Sequence, residues 1–157
     1  MNELVQMTTL LNQKKDLFLE FEQATEELCY VEIDAMESLM DQRLKLQEKI
    51  DELTQQQQQI YQSMPELEEI VVNPIEKKNL TGDFKSIQEL SIQIKGTIQR
   101  IIQISPMLQR RIERERDDLL EKLQNSKKST AAVAQKYYQT VSSGVRRPFI
   151  QKNGKTV

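Results

Sequence analysis

The side chains that most often do chemistry are nearly absent from this chain. It has no histidine and a single cysteine, Cys29, beside 24 acidic and 22 basic residues. Without histidine the commonest general base and metal ligand is missing, and Cys29 has no imidazole to take its proton. A lone cysteine forms no intrachain disulfide, so nothing points to an oxidising compartment. The four glycines are scattered, and neither a phosphate-cradling loop nor a nucleophile elbow can be read around them. Carboxylates are plentiful, but they fall on the polar faces of helical patterns, where water solvates them. We therefore expect no catalytic residue, no metal and no cofactor: the chain reads as a non-enzyme.

Charge is the second source of chemistry. The net charge is −2, and the last acidic residue is Glu121. Lys127, Lys128, Lys136, Arg146, Arg147, Lys152 and Lys155 follow it, which leaves −9 on the first 124 residues. A basic tail on an acidic body can meet an acidic partner, anionic lipid or nucleic acid, fold back on the body, or stay solvated. Tyr137, Tyr138 and Phe149 interleave with these cations, yet no recognition helix, zinc spacing or aromatic platform accompanies them. The acidic body would repel phosphate, so no nucleic acid is expected as partner. No apolar run approaches the roughly 20 residues that span a bilayer. Glu3 stands where a signal peptide carries basic charge. The expected location is the cytoplasm, without membrane insertion.

Any binding chemistry must therefore be carried by helices. Glu, Gln, Lys, Leu and Ile dominate, there is no Trp, and only eight residues are Phe or Tyr. Straight-chain residues lose little freedom in a helix, and few aromatics imply a thin core between helices. A first helix is expected over about residues 3–28. In it Leu4, Leu11, Phe18 and Thr25 interleave with Met7, Lys14, Phe21 and Leu28 in steps of three and four. Lys14 and Thr25 weaken that seam, and Leu10 and Leu17 widen it. Residues 29–33 read as a tight connection, with one uninterrupted helix to Met64 as the alternative. Asp34-Ala-Met-Glu37 has the form of a capping box.

A second helix over 34–64 carries the cleanest pattern. Met36, Leu39, Arg43, Leu46, Ile50, Leu53, Gln57, Ile60 and Met64 alternate three and four without a slip, and seven of the nine are apolar, so a packed partner helix is implied. Pro65, Asn73-Pro74 and Gly82 mark residues 65–82 as a connection with one helical turn around Ile70, Val71 and Val72. A loop of that length is mobile or functional in many domains. Asp83 is a cap candidate for a helix over 83–104, with Ser86, Ile87, Leu90, Ile94, Ile98, Ile101 and Ile104 on one face. Ser105-Pro106 kinks or breaks it, and a helix over 106–140 resumes with Leu108, Ile112, Leu119, Leu120, Leu123 and Val133. The fold expected is all-α: an elongated antiparallel bundle of three to four long amphipathic helices, residues 1–141, with a flexible C-terminal tail, 142–157.

Two stretches then suggest a family. Ile33-Asp-Ala-Met-Glu-Ser-Leu-Met-Asp-Gln-Arg43 resembles the start of the second helix in FlgN/FliT-type flagellar export chaperones. Those proteins show a small acidic residue, a hydrophobic pair three apart and a closing basic residue after a long first helix. At the C-terminus, a Lys-Lys and alanine-rich stretch leads to Tyr137-Tyr138 and then Phe149-Ile150-Gln151-Lys152. This is similar to the tyrosine and Arg-Phe-Ile-Asp-Lys-like segment of FlgN-type members. Gln151 stands where aspartate is common, and Pro148 intervenes. Length favours the FlgN type.

The resemblance implies a cytosolic chaperone of flagellar type III export, a monomer or weak dimer. It would hold the C-terminal helices of unpolymerised hook–filament junction proteins and deliver them to the export gate component FlhA. Carried over, the substrate face is Ile112, Leu119, Leu120, Leu123 and Val133, and the gate-docking residues are Tyr137 and Tyr138. From the residues alone, the same leucines serve equally as intramolecular core. A homo-oligomeric coiled-coil protein, self-associating through the Met36–Met64 seam, is the alternative reading.

Overall fold

The computed structural model describes residues 2–144, with side chains through residue 135 apart from those of residues 2 and 129. Its elements are α1 (Asn2–Tyr30), α2 (Ile33–Ser63), α3 (Glu66–Val72), a 3-10 turn (Pro74–Glu76) and α4 (Gly82–Gly144). No strand occurs among the described residues, and the all-α bundle expected from the sequence is what forms. The chain divides into two units, residues 1–111 and 112–157.

The first unit packs three long helical stretches, α1, α2 and the first part of α4, with the short α3. All eight interleaved positions of α1, including Lys14 and Thr25, are buried or half-buried, and so are all nine seam positions of α2. The Met36–Met64 seam is thus consumed inside the chain. Lys14 meets Gln57 and Thr25 meets Arg43, so residue numbers rise on α1 as they fall on α2, and the two helices are antiparallel. Glu22 meets Arg100 and Leu28 meets Arg111, so the first part of α4 runs parallel to α1. Met7, Leu10 and Leu11 of α1, Ile60 and Tyr61 of α2, and Ile87, Leu90 and Ile94 of α4 make one core with Leu67 and Ile70 of α3. Each such aliphatic side chain, fully buried, contributes on the order of 1.5–3 kcal/mol of transfer free energy. Ser86 is exposed and lies off the core face that Ile87 begins.

Residues 65–82 fold more fully than one turn. Two turns of α3 place Leu67 and Ile70 in the core, and Gln88 Nε2 donates to the carbonyls of Pro74 (2.6 Å) and Lys77 (2.7 Å). That side chain satisfies two loop carbonyls at once, which fixes the path between α2 and α4. Gly82 has a φ of 59°, and a Cβ there would meet nothing within 4 Å. Its left-handed backbone, rather than crowding, is what calls for glycine.

Two local expectations are corrected. The capping box at Asp34 does not form: α2 begins at Ile33, and Glu32, at the cap position, makes no side-chain cap bond. Val31 and Glu32 alone link the helices, and Asp34 sits inside the first turn, where its negative charge still suits the helix dipole. The separate helices over 83–104 and 106–140 are one continuous α4 with Pro106 inside it. Pro106 lacks the N–H that would reach the carbonyl of Ile102. Ile102 is exposed, on a face where water can take that place, and the Ser105 hydroxyl donates to the carbonyl of Ile101 at 2.7 Å.

Candidate functional site: exposed leucines of the C-terminal unit

The second unit, taken by itself, is the stretch of α4 from Ile112 to Gly144; no other element occurs among its described residues. Ile112, Leu119 and Leu123 are spaced by seven and four, which sets them on one face of a helix with about 3.6 residues per turn. Leu120 lies at the edge of that face, and Val133 falls near its continuation past Ser126 and Thr130. Ile112 is half-buried, whereas Leu119 and Leu120 are each 51% exposed, Leu123 is 53% and Val133 is 67%. All five predicted substrate-face residues are thus in one helix, and four of them are open. Tyr137 and Tyr138, the predicted gate-docking pair, have side chains outside the described residues.

The ion pair just ahead of the leucines is solvated. Arg116 and Asp117 lie 3.5 Å apart with both side chains about two-thirds exposed. An ion pair in that setting adds little, since water screens it and both side chains lose freedom. Thr130 Oγ1 donates to the Ser126 carbonyl at 2.9 Å, so that hydroxyl is satisfied within the helix. The stripe is apolar around Leu119–Leu123 and small or polar beyond it.

Shallow surface grooves run along the first unit. One, about 680 Å³, lies along α1 and α2 and is lined by Phe21, Glu37, Met40, Asp41, Arg43, Leu44 and Gln47. Arg43 forms its inner wall: Nε donates to Thr25 Oγ1 at 3.1 Å, and the guanidinium sits 4.5 Å from the Phe21 ring centroid. Burial lowers the Arg43 pKa, and the ring face offsets some of that lost hydration. The sequence reading passed over Met40 and Leu44. Their spacing from Ile33, by seven and four, is a second apolar line beside the main seam and was the signal that could have found them.

Another groove, about 550 Å³, is lined by Glu26, Glu27, Cys29, Tyr30, Val31, Ile104 and Met107. Cys29 is buried, its Sγ lies 3.4 Å from the Thr25 carbonyl, and burial raises the thiol pKa against the opposing pull of Arg111. A thiol held protonated is a weak nucleophile.

Buried polar groups in this unit are structural. Lys14 Nζ donates to Gln57 Oε1 at 2.8 Å, and Gln57 Nε2 donates to the Tyr61 hydroxyl at 2.5 Å. Burial lowers the Lys14 pKa and raises that of Tyr61. Arg111 donates from Nη1 to the Leu28 carbonyl at 3.1 Å and from Nη2 to the Val31 carbonyl. It closes carbonyls that the end of α1 leaves open.

Among the described residues no group of three or more His, Cys, Asp or Glu side chains is placed to hold a metal. No helix among them is long and apolar enough to cross a membrane. No protein-family model, curated protein or solved structure matches this chain.

Proposed function

We propose that this protein is a non-enzymatic, cytoplasmic export chaperone of the FlgN type. It binds the C-terminal helices of unpolymerised hook–filament junction proteins and hands them to FlhA. The observation that carries the reading is the run of half-exposed leucines at 119, 120 and 123 on a helix that has no second element beside it among the described residues of its own unit. A subunit that pairs its helices only after export needs its apolar stripe covered beforehand, and an amphipathic helix covers such a stripe by laying its own apolar face against it. The resemblance of Ile33–Arg43 and of the tyrosine-bearing C-terminus to that family supplies the identity of the guest. In this reading Ile112, Leu119, Leu120, Leu123 and Val133 touch the guest, and Tyr137 and Tyr138 dock at the gate.

Isothermal titration of the full chain with the C-terminal helical fragment of the junction protein from the same genome tests this. A saturable complex is expected. It should weaken at least tenfold in Leu119→Lys/Leu123→Lys while thermal unfolding of the first unit stays unchanged. A fragment that gives no heat and no shift in sedimentation, or one that binds the variant equally well, would overturn the proposal.

A further inference from the structure

The charge along the second unit is ordered in a way that a guest helix does not require. Between Ile112 and Leu119 stand Glu113, Arg114, Glu115, Arg116, Asp117 and Asp118, four acids to two bases, and Glu121 and Lys122 balance each other among the leucines. After them come Lys127 and Lys128, with no acid from residue 122 to the end of the chain. Glu113, Asp117, Asp118, Lys127 and Lys128 are all exposed. The helix is thus acidic on one side of Leu119–Leu123 and basic on the other.

We infer that this stretch of α4 pairs with a second copy of itself, antiparallel, about a two-fold axis midway between Leu119 and Leu123. Three features fit that occupant. An isologous contact needs a self-complementary patch, and an antiparallel two-fold sets Leu119 of one copy on Leu123 of the other, with the two Leu120 side chains flanking the centre. The same operation lays the acidic turn at Glu113–Asp118 alongside Lys127 and Lys128 of the other copy, bringing Glu113 opposite Lys127. A parallel pair would instead set lysine against lysine and carboxylate against carboxylate, so charge selects the orientation. Ser126 and Thr130, which continue the stripe, are small enough for close approach, and Thr130 already has its hydroxyl bonded within the helix.

The apolar centre is short, and such an interface lies below the standard range of roughly 1,200–2,000 Å². The dimer is therefore weak, with dissociation on a micromolar scale. It keeps the leucines out of water in the absence of any other ligand. The pairing does not rest on the chaperone reading. Where both hold, guest and second copy compete for the same leucines.

The test uses the full chain without any guest. Sedimentation equilibrium from low to high micromolar concentration should show a monomer–dimer equilibrium. Leu119→Lys/Leu123→Lys should remain monomeric throughout. Glu113→Lys and Lys127→Glu should each weaken dimerisation several-fold, and the two together should restore it, because each reversed charge again meets its opposite. In a Cys29→Ser background, a mixture of Glu113→Cys and Lys127→Cys proteins should form the mixed disulfide on mild oxidation, and neither alone should crosslink efficiently. A monomer at every concentration overturns the inference. So does a dimer unaffected by the leucine substitutions, or one in which Glu113→Cys and Lys127→Cys each crosslink to themselves. Failure here leaves the titration with the junction-protein fragment standing, and the converse holds.

Discussion

The two units of this chain use the same helical repeat with the polarity of its exceptions reversed. In residues 1–111, the seam buries polar side chains: Lys14, Thr25 and Gln57 are nearly inaccessible, and so is Arg111. Each has a hydrogen-bond partner, and among the described residues no buried side-chain nitrogen or oxygen is left without one. In residues 112–144, taken alone, the seam exposes leucines. A bundle tolerates a buried cation when its neighbours supply acceptors, because an unsatisfied one costs more than the bond returns. A helix tolerates exposed leucines without penalty to its own backbone, since leucine favours the helix whether or not it is buried. The first unit spends its side chains on specifying itself. The second leaves them available.

Deleting leucine side chains on each side breaks the comparison most sharply. Leu11, 1% exposed, sits among three helices, and Leu11→Ala should cost roughly 2–5 kcal/mol through lost transfer energy and the cavity left behind. Leu123→Ala should change unfolding by less than about 0.5 kcal/mol, as surface substitutions do. Urea denaturation followed by far-UV circular dichroism at low protein concentration measures both. If Leu123→Ala destabilises as much as Leu11→Ala, the leucines of the second unit are core and the contrast is void.

The buried polar chain Lys14–Gln57–Tyr61 offers the next effect. Gln57→Leu removes the side-chain acceptor of Lys14 Nζ and the amide that reaches Tyr61, and should cost about 1–3 kcal/mol. Replacing all three, as Lys14→Met/Gln57→Leu/Tyr61→Phe, should recover most of that loss or exceed the wild type, since a wholly apolar set has nothing left to satisfy. A triple variant less stable than Gln57→Leu alone would mean that the chain of hydrogen bonds stabilises the bundle outright. Should the triple variant instead be stable but populate mixed helix registers, visible as extra amide resonances, the chain's contribution is to the uniqueness of the α1–α2 pairing.

The sequence made the helices and their inward faces legible because three-and-four spacing survives substitution at single positions. Even Lys14, Thr25, Arg43 and Gln57, which looked like flaws in two separate seams, lie on the faces that the spacing assigns. Their pairing, Lys14 with Gln57 and Thr25 with Arg43, was not legible, since it depends on the register between two helices and not on either pattern. Whether Pro106 kinks or breaks its helix was not legible for a related reason: the local rule weighs one lost hydrogen bond, while the helix around it continues in the same apolar face from Ile101 to Leu108. Asp34 and the α3 segment failed in the same way, because a cap bond and the burial of Leu67 are decided by neighbours distant in sequence. At the candidate site, spacing located Leu119, Leu120 and Leu123 but could not tell an exposed stripe from a core one. That distinction belongs to tertiary structure.

The smallest effect expected is a pH dependence, and it isolates the cost of burying one cation. Burial lowers the pKa of Lys14 in the folded chain, with Asp51 acting in the opposite sense, while the unfolded chain keeps the ordinary lysine value near 10.4. At neutral pH the unfolded state therefore binds that proton more tightly than the folded state does, and the fold is penalised. As pH rises from the lowered folded value towards the unfolded one, the penalty is relieved; above both it is gone. Tyr61 works against this in the same alkaline range, since its raised pKa means that stability is lost as the unfolded tyrosine ionises first. Comparing wild type with Lys14→Met at each pH cancels the tyrosine. The stability of wild type relative to that variant should climb between neutral pH and about 10.4, by less than the Gln57→Leu effect, in urea midpoints corrected for slope. A flat difference would mean that Lys14 reaches water through its ammonium group, and the buried polar chain would then begin at Gln57.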